Sequence, residues 1–341
     1  MFASKIASIS TTPKQTGAPT TDPNVAIRRG GAVVAACALS ISLVGLPANA
    51  ADPVPMAAAM AGYRMETLAS DAFSTRNVDT RLSYAPGYQW YYFNFFGTKP
   101  SSSLTTFNGD GSLTTASATP DPGINGYWLA SAGVINGAPG YRGTAYGGGA
   151  YFEATFEFNS SAVNLSQGWP MWWSMSLEHM IGKGDQWAGQ RPGYEHFVEP
   201  DFFEYDMGQT KSYGGAVHDW YGVYNATCSN YCNYYNPNFA RAVPSTTNFN
   251  TYHRYGFLWK PATATAKGSL TYYFDGVQTG ATYTYTKMNS QAPVPNGTTP
   301  WTYGVIDGQH LVLFIGTCPP VPMQIKSVQV WQASAAYNLH N

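Results

Sequence analysis

The octapeptide EPDFFEYD at positions 199–206 concentrates acidic side chains in a chain that is otherwise poor in charge. It carries Glu199, Asp201, Glu204 and Asp206, although Asp, Glu, Lys and Arg together make up only 11% of the 341 residues. Carboxylates held close together repel one another, so that one group ionises while another keeps its proton. Such a pair can supply a nucleophile or base together with a general acid.

The spacing of these acids constrains how a β-strand could present them. Successive side chains of a strand point to opposite faces, so Glu199 and Asp201 share a face and Glu204 points away. One extra residue in a β-bulge near Phe202-Phe203 would return Glu204 to the face of Glu199, and bulges often redirect side chains beside active sites. The spacing therefore predicts a bulged strand with three acids on one face.

Two acids with an aspartate between them suit the retaining hydrolysis of a glycosidic bond. A carboxylate attacks the anomeric carbon and a carboxylic acid protonates the leaving oxygen. Asp201 could hydrogen-bond the nucleophile and set where the proton lies. A solvated acidic strand edge and a Ca²⁺ site stay open as alternatives. The Phe-Phe pair inside the cluster and the lack of a glycine-bearing calcium loop disfavour both.

The rest of the chain has the pattern of a β-protein. From about residue 63 to 337, short runs rich in Tyr, Phe, Val and Thr alternate with Gly, Pro, Asn and Ser, without a helical apolar period. Asp275-Gly276 predicts a two-residue hairpin. We expect an all-β sandwich as a single domain over 63–341. Its predicted strands include Gln89–Phe96, Ala150–Phe158, Met171–Ser176, His253–Trp259, Leu270–Phe274, Leu311–Ile315 and Ser327–Trp331.

Composition limits the kind of partner. The formal net charge is −1 and no basic run is present, which disfavours nucleic acid and anionic membranes. Aromatic residues reach 15%, with 25 Tyr, 17 Phe and 10 Trp. Flat rings can cover the C–H faces of sugars, so an uncharged, hydroxyl-rich ligand fits best, although most of these rings would fill sheet layers.

The N-terminal segment has the features of an export signal. Arg28-Arg29 precede the apolar run Gly30–Leu46, and Ala48-Asn49-Ala50 offers small residues for cleavage. We predict a signal peptide over 1–50 and a featureless linker over 51–62. The apolar run is short for a membrane span, so we expect no stable membrane anchor.

Three features of this segment leave the start codon and the export route open. The stretch before Arg28 is long for a signal peptide, so Val25 could be the true initiator. Arg28-Arg29 also allow a twin-arginine signal, although Gly-Gly-Ala follows them. Val34-Ala35-Ala36-Cys37 looks like a lipoprotein box behind a short apolar stretch.

The cysteines suggest one local disulfide. Removal of Cys37 with the signal peptide would leave Cys228, Cys232 and Cys318. Cys228 and Cys232 flank Ser-Asn-Tyr and could pair in an oxidising compartment. A zinc site is the alternative, but it needs further ligands. Cys318 is then left over as a buried structural residue.

The segment Glu199–Glu204 resembles the E-x-D-x-x-E signature of glycoside hydrolase family 16, which contains laminarinases, lichenases, agarases and carrageenases. Other segments resemble that family's in the same order, over about residues 145–332. They are YGGGAYFEATFEF (146–158), GWPMWWSM (168–175), GGAVH (214–218), NTYHRYGFLWKP (250–261), LTYYFDG (270–276) and IKSVQVWQ (325–332). The resemblance implies a concanavalin-like jelly roll of two curved antiparallel sheets, with a glycan cleft on the concave face.

The resemblance also implies roles for the acids. Glu199 matches the nucleophile, Asp201 its helper and Glu204 the general acid/base, in the spacing of the family's bulged, laminarinase-like branch. Pro200 stands where the family usually has an aliphatic residue, and proline cannot donate to a strand ladder.

Four further residues are candidates for the glycan site. Trp172 and Trp173 are adjacent, so one should enter the core and the other the cleft, and we expect Trp173 to be the sugar platform. Trp187 and Trp220 are further aromatic candidates near the acids. His218 matches the family's G-T-V-H histidine and should lie close to the acids.

We therefore expect a secreted, monomeric, retaining endo-β-glycosidase acting on a β-linked polysaccharide, with β-1,3- or mixed-linked β-1,3/1,4-glucan as the leading substrate. The chemistry needs no cofactor, and a structural Ca²⁺ is possible. An agarase, a galactanase or a transglycosylase would use the same acids. A non-catalytic, lectin-like sugar-binding protein is the alternative from another class. The chain lacks the paired histidines of a metalloprotease helix and the G-x-S-x-G elbow.

Overall fold

The computed structural model describes residues 54–97, 99–103, 105–115, 128–135, 140–163, 169–182, 193–205, 211–224, 233–235, 239–287, 303–317 and 321–341. The fold below is that of the described part of Val54–Asn341. Residues 1–53, which include the predicted signal peptide, lie outside the described residues.

The described residues form two short helices and a series of strands. The helices are α1 (Met56–Met60) and α2 (Leu177–Met180). The strands are β1 (Met65–Ser70), β2 (Tyr91–Tyr92), β3 (Thr105–Phe107), β4 (Leu113–Thr115), β5 (Trp128–Ala130), β6 (Ala132–Val134), β7 (Tyr141–Ala145), β8 (Ala150–Phe158), β9 (Pro170–Ser176), β10 (Glu195–Glu204), β11 (Ser212–Gly222), β12 (Asn233–Tyr235), β13 (Phe239–Ala242), β14 (His253–Lys260), β15 (Gly268–Phe274), β16 (Val277–Tyr285), β17 (Leu311–Thr317), β18 (Met323–Gln332) and β19 (Leu339–His340).

These strands build two large antiparallel sheets. The first has the order β16-β15-β14-β8-β18-β4-β3, with β1 also on β18. The second has the order β12-β11-β10-β9-β17-β5-β2, with β13 also on β11. A small third sheet joins β19, β7 and β6. The fold is an all-β sandwich of the jelly-roll type, and the predicted fold class is confirmed.

Alternate side chains of the two sheets form a common core rich in aromatic rings. Phe152 of β8 stacks on Phe202 of β10 with ring centroids 5.4 Å apart, and Phe156 meets Phe203 edge-on at 4.9 Å. All four rings are buried. Offset and edge-on ring pairs add to the free energy of burial. The core therefore holds β10 firmly against the first sheet.

Most predicted strands occur where the sequence places them, and the hairpin is confirmed. Asp275 and Gly276 have φ values of 48° and 80° and connect Phe274 to its partner Val277. The predicted strand Gln89–Phe96 is wrong over most of its length. Only Tyr91–Tyr92 is a strand, and the chain then enters a tight turn at Phe95–Gly97.

Part of the segment predicted as a featureless linker is packed helix. Ala57 and Ala58 of α1 are buried in a cluster with Tyr151, Leu258 and Trp331 on the outer face of the first sheet. Small alanine side chains let the helix approach the sheet closely. Among the described residues, no helix is both long and apolar enough to cross a membrane.

Candidate active site

The strand that carries the acidic motif, β10, contains the predicted bulge. On β11, Glu199 lies opposite His218, Asp201 opposite Ala216 and Glu204 opposite Gly214. Three steps along β10, from Asp201 to Glu204, thus correspond to two steps on its partner. The pairing with β9 also shifts between Asp201 and Phe203. The extra residue lies at Phe202-Phe203, as the acid spacing predicts.

The bulge sends two consecutive phenylalanines into the core. Phe202 packs on Trp172 at a centroid distance of 5.1 Å, and Phe203 packs on Tyr255 at 4.5 Å. Where the ladder is interrupted, the hydroxyl of Tyr272 lies 3.2 Å from the carbonyl oxygen of Asp201. Because both phenylalanines face inward, Glu204 returns to the outer face of the sheet with Glu199 and Asp201.

Pro200 fits the strand because of its position relative to β9. Its carbonyl accepts a hydrogen bond from the Ser174 hydroxyl of β9 at 3.4 Å. The N–H and C=O of one strand residue point to the same side, so the missing N–H also lies toward β9. Register pairing between β9 and β10 begins only at Asp201. The proline therefore costs no ladder hydrogen bond at this point.

Glu199 is buried and held by an indole. Its side chain lies on the outer face of the second sheet, and the residue is 8% exposed. Nε1 of Trp220, on β11, donates to Oε2 of Glu199 at 2.7 Å. A hydrogen bond to a charged group contributes about 1.5–3 kcal/mol. Trp220, predicted as a substrate-binding residue, is 4% exposed and contacts the carboxylate directly.

Asp201 is paired with His218. The distance from Nε2 of His218 to Oδ2 of Asp201 is 2.9 Å, and both residues are buried. Burial lowers the pKa of His218, against the opposing effect of the Glu199 and Glu204 carboxylates. The lowered pKa favours the neutral imidazole, and Nε2 lies within hydrogen-bond distance of Oδ2 of Asp201.

Glu204 is partly exposed, and it contacts Trp169, which is not among the predicted site residues. Nε1 of Trp169 donates to Oε1 of Glu204 at 3.3 Å. Trp169 precedes Pro170, the first residue of β9, and Glu204 lies opposite Met171. The quoted segment GWPMWWSM contains Trp169, so its place at the start of the strand next to the acids could have identified it.

Trp172 and Trp173 divide between the two faces as predicted. Trp172 is fully buried in the core between the sheets, and Trp173 lies opposite Asp201 on the face of the acids. Trp173 is itself packed against Phe314 at 4.4 Å and Trp128 at 5.7 Å. With only 7% of its surface exposed, it can offer a sugar only a small part of its ring.

A row of nearly parallel rings leads away from the acids on the same face. His218 lies parallel to Trp220 at 5.4 Å, and Trp220 lies 6.2 Å from Phe197 with a tilt of 23°. Phe197 in turn stacks on the imidazole of His179 of α2, with ring centroids 3.6 Å apart and an interplanar angle of 7°. Glu195 anchors that imidazole, with Oε2 lying 3.1 Å from Nδ1.

Several predicted residues lie outside the described part of the chain. They are Trp187, Asp206, Cys228, Cys232 and Cys318. The predicted disulfide and the alternative zinc site therefore stay predictions. Among the residues that are described, no group of three or more His, Cys, Asp or Glu side chains could hold a metal ion.

The described arrangement brings together three carboxyl groups with distinct surroundings. Glu199 is buried under an indole N–H, Asp201 is bonded to the imidazole of His218, and Glu204 is more exposed to solvent. The three carboxyl groups therefore share one face but differ in their hydrogen-bond partners and in their access to solvent.

No protein-family model matches the sequence, and no curated protein matches it. Solved structures do resemble it. An endo-β-galactosidase from Clostridium perfringens that releases GlcNAcα1-4Gal superposes with a TM-score of 0.49 and 14% identity, over 81% of this chain and 63% of that chain. An endo-1,3-β-glucanase from Streptomyces sioyaensis superposes with a TM-score of 0.48 and 15% identity, over 81% of this chain and 97% of that chain. LamA from Z. galactanivorans, in complex with laminaritriose and laminaritetraose, superposes with a TM-score of 0.43 and 9% identity, over 79% of this chain and 100% of that chain. Similarity at this level concerns the fold and does not identify what this chain binds or cleaves.

Proposed function

We propose that the protein is a retaining endo-β-glycosidase that cleaves a β-linked polysaccharide. The observation that carries the proposal is the bulge in β10, which places Glu204 on the face of Glu199 with Asp201 between them. The resemblance of Glu199–Glu204 to the signature of glycoside hydrolase family 16 supports the same assignment. A binding protein has no need of a paired nucleophile and acid.

In the first step, Glu199 acts as the nucleophile. Trp220 holds Oε2, so Oε1 attacks the anomeric carbon of the sugar. The bond from that carbon to the glycosidic oxygen breaks, and the oxygen takes the proton of Glu204. The products are a glycosyl ester on Glu199, the released chain with a new hydroxyl group, and an ionised Glu204.

In the second step, Glu204 acts as a base. It removes a proton from water while the water oxygen attacks the anomeric carbon, and the ester bond to Glu199 breaks. Two inversions restore the β-configuration, Glu199 is again a carboxylate and Glu204 again carries a proton. A sugar hydroxyl that replaces water would give transglycosylation on the same residues.

The burial of the two glutamates supports this division of roles. Glu199 is 8% exposed, as suits a group that contacts the ring carbon, and the more exposed Glu204 can receive water. Asp201, bonded to His218, provides a partner that can relay or hold a proton next to the nucleophile. We therefore assign Asp201 and His218 to positioning and tuning.

The substrate class we propose is an uncharged β-1,3- or mixed-linked β-1,3/1,4-glucan. The family resemblance and the low charge of the chain support this choice. An agarase or a galactanase would fit the same acids. We further propose that the protein is secreted and monomeric, has no stable membrane anchor and does not bind nucleic acid.

A glycan panel tests the proposal. The purified protein is incubated with laminarin, lichenan, agarose and carrageenan, and new reducing ends are counted. Proton NMR of the earliest products from an active substrate should show the β-anomer. Glu199→Gln and Glu204→Gln should each lose activity by at least about a thousandfold, since each removes a reacting group. Glu157→Gln, on β8 of the first sheet, is the matched control and should keep full activity.

The panel also separates the alternatives. Turnover of agarose alone would move the substrate to galactans without changing the roles of the acids. Binding of a glycan without turnover of any would favour the lectin-like alternative. Activity at the wild-type level in Glu199→Gln would contradict the nucleophile assignment.

A further inference from the structure

Phe96 combines two features that are unusual for a large apolar residue. Its backbone is in the left-handed region, with φ 56° and ψ 29°, and 42% of its surface is exposed. A bulky side chain at positive φ is an outlier that persists only when the surrounding structure imposes it. Residues of this kind cluster at active sites and ligand clamps. Neither core packing nor backbone preference accounts for Phe96.

The ring of Phe96 rests on rigid neighbours. Phe93 lies 6.4 Å away and Phe95 6.5 Å away, and both are fully buried. The imidazole of His179 lies 5.6 Å away on another side. Contact with three fixed rings holds the exposed face of Phe96 in one orientation, so little conformational entropy is lost when a ligand stacks on it.

The same contacts connect Phe96 to the acids. His179 lies on Phe197, Phe197 lies beside Trp220, and Trp220 donates to Glu199. Phe96 is thus the exposed end of the row of rings that starts at the nucleophile, on the outer face of the second sheet.

We infer that Phe96 is a sugar-stacking platform at a distal subsite, which holds a neutral sugar unit several residues away from the cleaved bond. This inference rests on the proposed function. An exposed aromatic face matches the C–H face of a β-linked hexose, and the left-handed turn is what presents that face. Phe96 would then set how strongly the protein prefers long chains to short ones.

Phe96 could instead serve only to stabilise the fold, and the variant Phe96→Gly distinguishes this role from that of a sugar platform. Glycine adopts positive φ without a steric penalty, so Phe96→Gly relieves the backbone strain while it removes the ring. For a platform, we expect unfolding at the wild-type temperature or above it, together with weakened binding of long chains. A structural cap would instead give lower stability and no change that depends on chain length.

The test measures the affinity of Glu199→Gln, which does not turn over, for laminari-oligosaccharides and neoagaro-oligosaccharides of two to eight units. Adding Phe96→Gly should raise the Kd of the longest chain of the bound series by about tenfold, equivalent to about 1.4 kcal/mol. The Kd of the shortest chain that binds should stay constant. Phe96→Trp should restore the preference for long chains. Tyr337→Ala is the control, because Tyr337 is 62% exposed in the turn beyond β18.

The outcomes separate this inference from the proposed function. Loss of affinity for long chains in a protein that cleaves no glycan would support the platform and contradict the enzyme. Unchanged affinity at every length in a protein that does cleave would overturn the platform alone. Equal loss at every length, or no binding of either series, would overturn the platform as well.

Discussion

Nε1 of Trp220 lies 2.7 Å from Oε2 of Glu199, and this hydrogen bond joins two strands across the face that carries the acids. It gives a buried carboxylate a neutral donor that cannot itself be attacked or deprotonated at neutral pH. The bond fixes which oxygen of Glu199 is free to react. It therefore makes Trp220 a positioning residue of the proposed site.

Trp220→Phe removes this donor and keeps an aromatic ring between His218 and Phe197. We expect kcat to fall by about 10- to 100-fold, the equivalent of a lost hydrogen bond to a charged group. The loss should appear in kcat more than in KM, because the hydrogen bond positions the reacting carboxylate. Trp331→Phe, on the first sheet, serves as the control. A Trp220→Phe enzyme with an unchanged kcat would show that the indole does not position Glu199 for the reaction.

The bulge gives a second prediction, since it compensates for the odd spacing of the glutamates. Deleting Phe203 would make the β10–β11 register regular, with two steps from Asp201 to the second glutamate on both strands. The folded variant should keep measurable activity because both glutamates still share a face. Deleting both Phe202 and Phe203 should abolish activity, because a single step then separates Asp201 from the second glutamate and the two side chains point to opposite faces.

Stability controls belong to this pair of variants. Phe203 packs on four rings of the core. Its deletion should therefore lower the free energy of unfolding by about 3–5 kcal/mol, which urea denaturation would measure. Both variants should be assayed at a temperature where circular dichroism shows them folded. A loss of activity then reflects which face the second glutamate occupies and not a loss of stability. Equal activity of the single-deletion and double-deletion variants would contradict the claim that both glutamates must share a face.

His218 provides a prediction about protonation. Burial lowers its pKa from the ordinary value of 6.5, so the folded protein should keep a neutral imidazole at pH values where the unfolded chain is protonated. The associated stability is present above 6.5 and is lost as the pH falls through the lower folded pKa. Imidazole carbon and nitrogen shifts followed by NMR would show this. A His218 that titrates at 6.5 or above would contradict it.

Glu178 gives a pH dependence outside the acidic triad. Burial alone would raise its pKa, but hydrogen bonds from the His310 ring and backbone N–H lower it overall. Its contribution to stability is therefore present above the unfolded value of 4.5 and lost as the pH falls through the folded pKa. The difference in unfolding free energy between wild type and Glu178→Gln should shrink as the pH is lowered from about 7 to about 3.

Glu157 provides a control because its pKa is shifted in the opposite direction to that of Glu178, so its effect on stability should change with pH in the opposite sense. Burial raises its pKa, so wild type should lose stability relative to Glu157→Gln as the pH rises through 4.5. Urea denaturation of both variants over the same pH range makes the comparison. Parallel trends in the two variants would show that the pH dependence comes from elsewhere in the chain.

The sequence predicted the features that depend on local spacing. The bulge followed from the five-residue step between Glu199 and Glu204, and the opposite faces of Trp172 and Trp173 followed from strand alternation. The hairpin at Asp275-Gly276 followed from the need for positive φ. Each of these requires knowledge of only a few neighbouring residues.

Features that depend on contacts between distant strands could not be predicted. The indole donors to Glu199 and Glu204 come from Trp220 and Trp169, whose roles depend on strand register. The burial of Trp173 depends on rings from β5 and β17. The predicted strand Gln89–Phe96 was wrong over most of its length, and Phe96 at its end has a left-handed backbone that phenylalanine does not favour by itself.

The assignment of Glu199 as nucleophile can be tested most directly by trapping the glycosyl-enzyme. A 2-deoxy-2-fluoro glycoside with an activated leaving group, built on the glycan that the panel identifies, slows both steps and lets the ester accumulate. Peptide mass spectrometry should locate one sugar adduct on Glu199, and Glu199→Gln should carry none. An adduct on Asp201 or Glu204, or turnover of the natural glycan with inversion of configuration, would contradict the account.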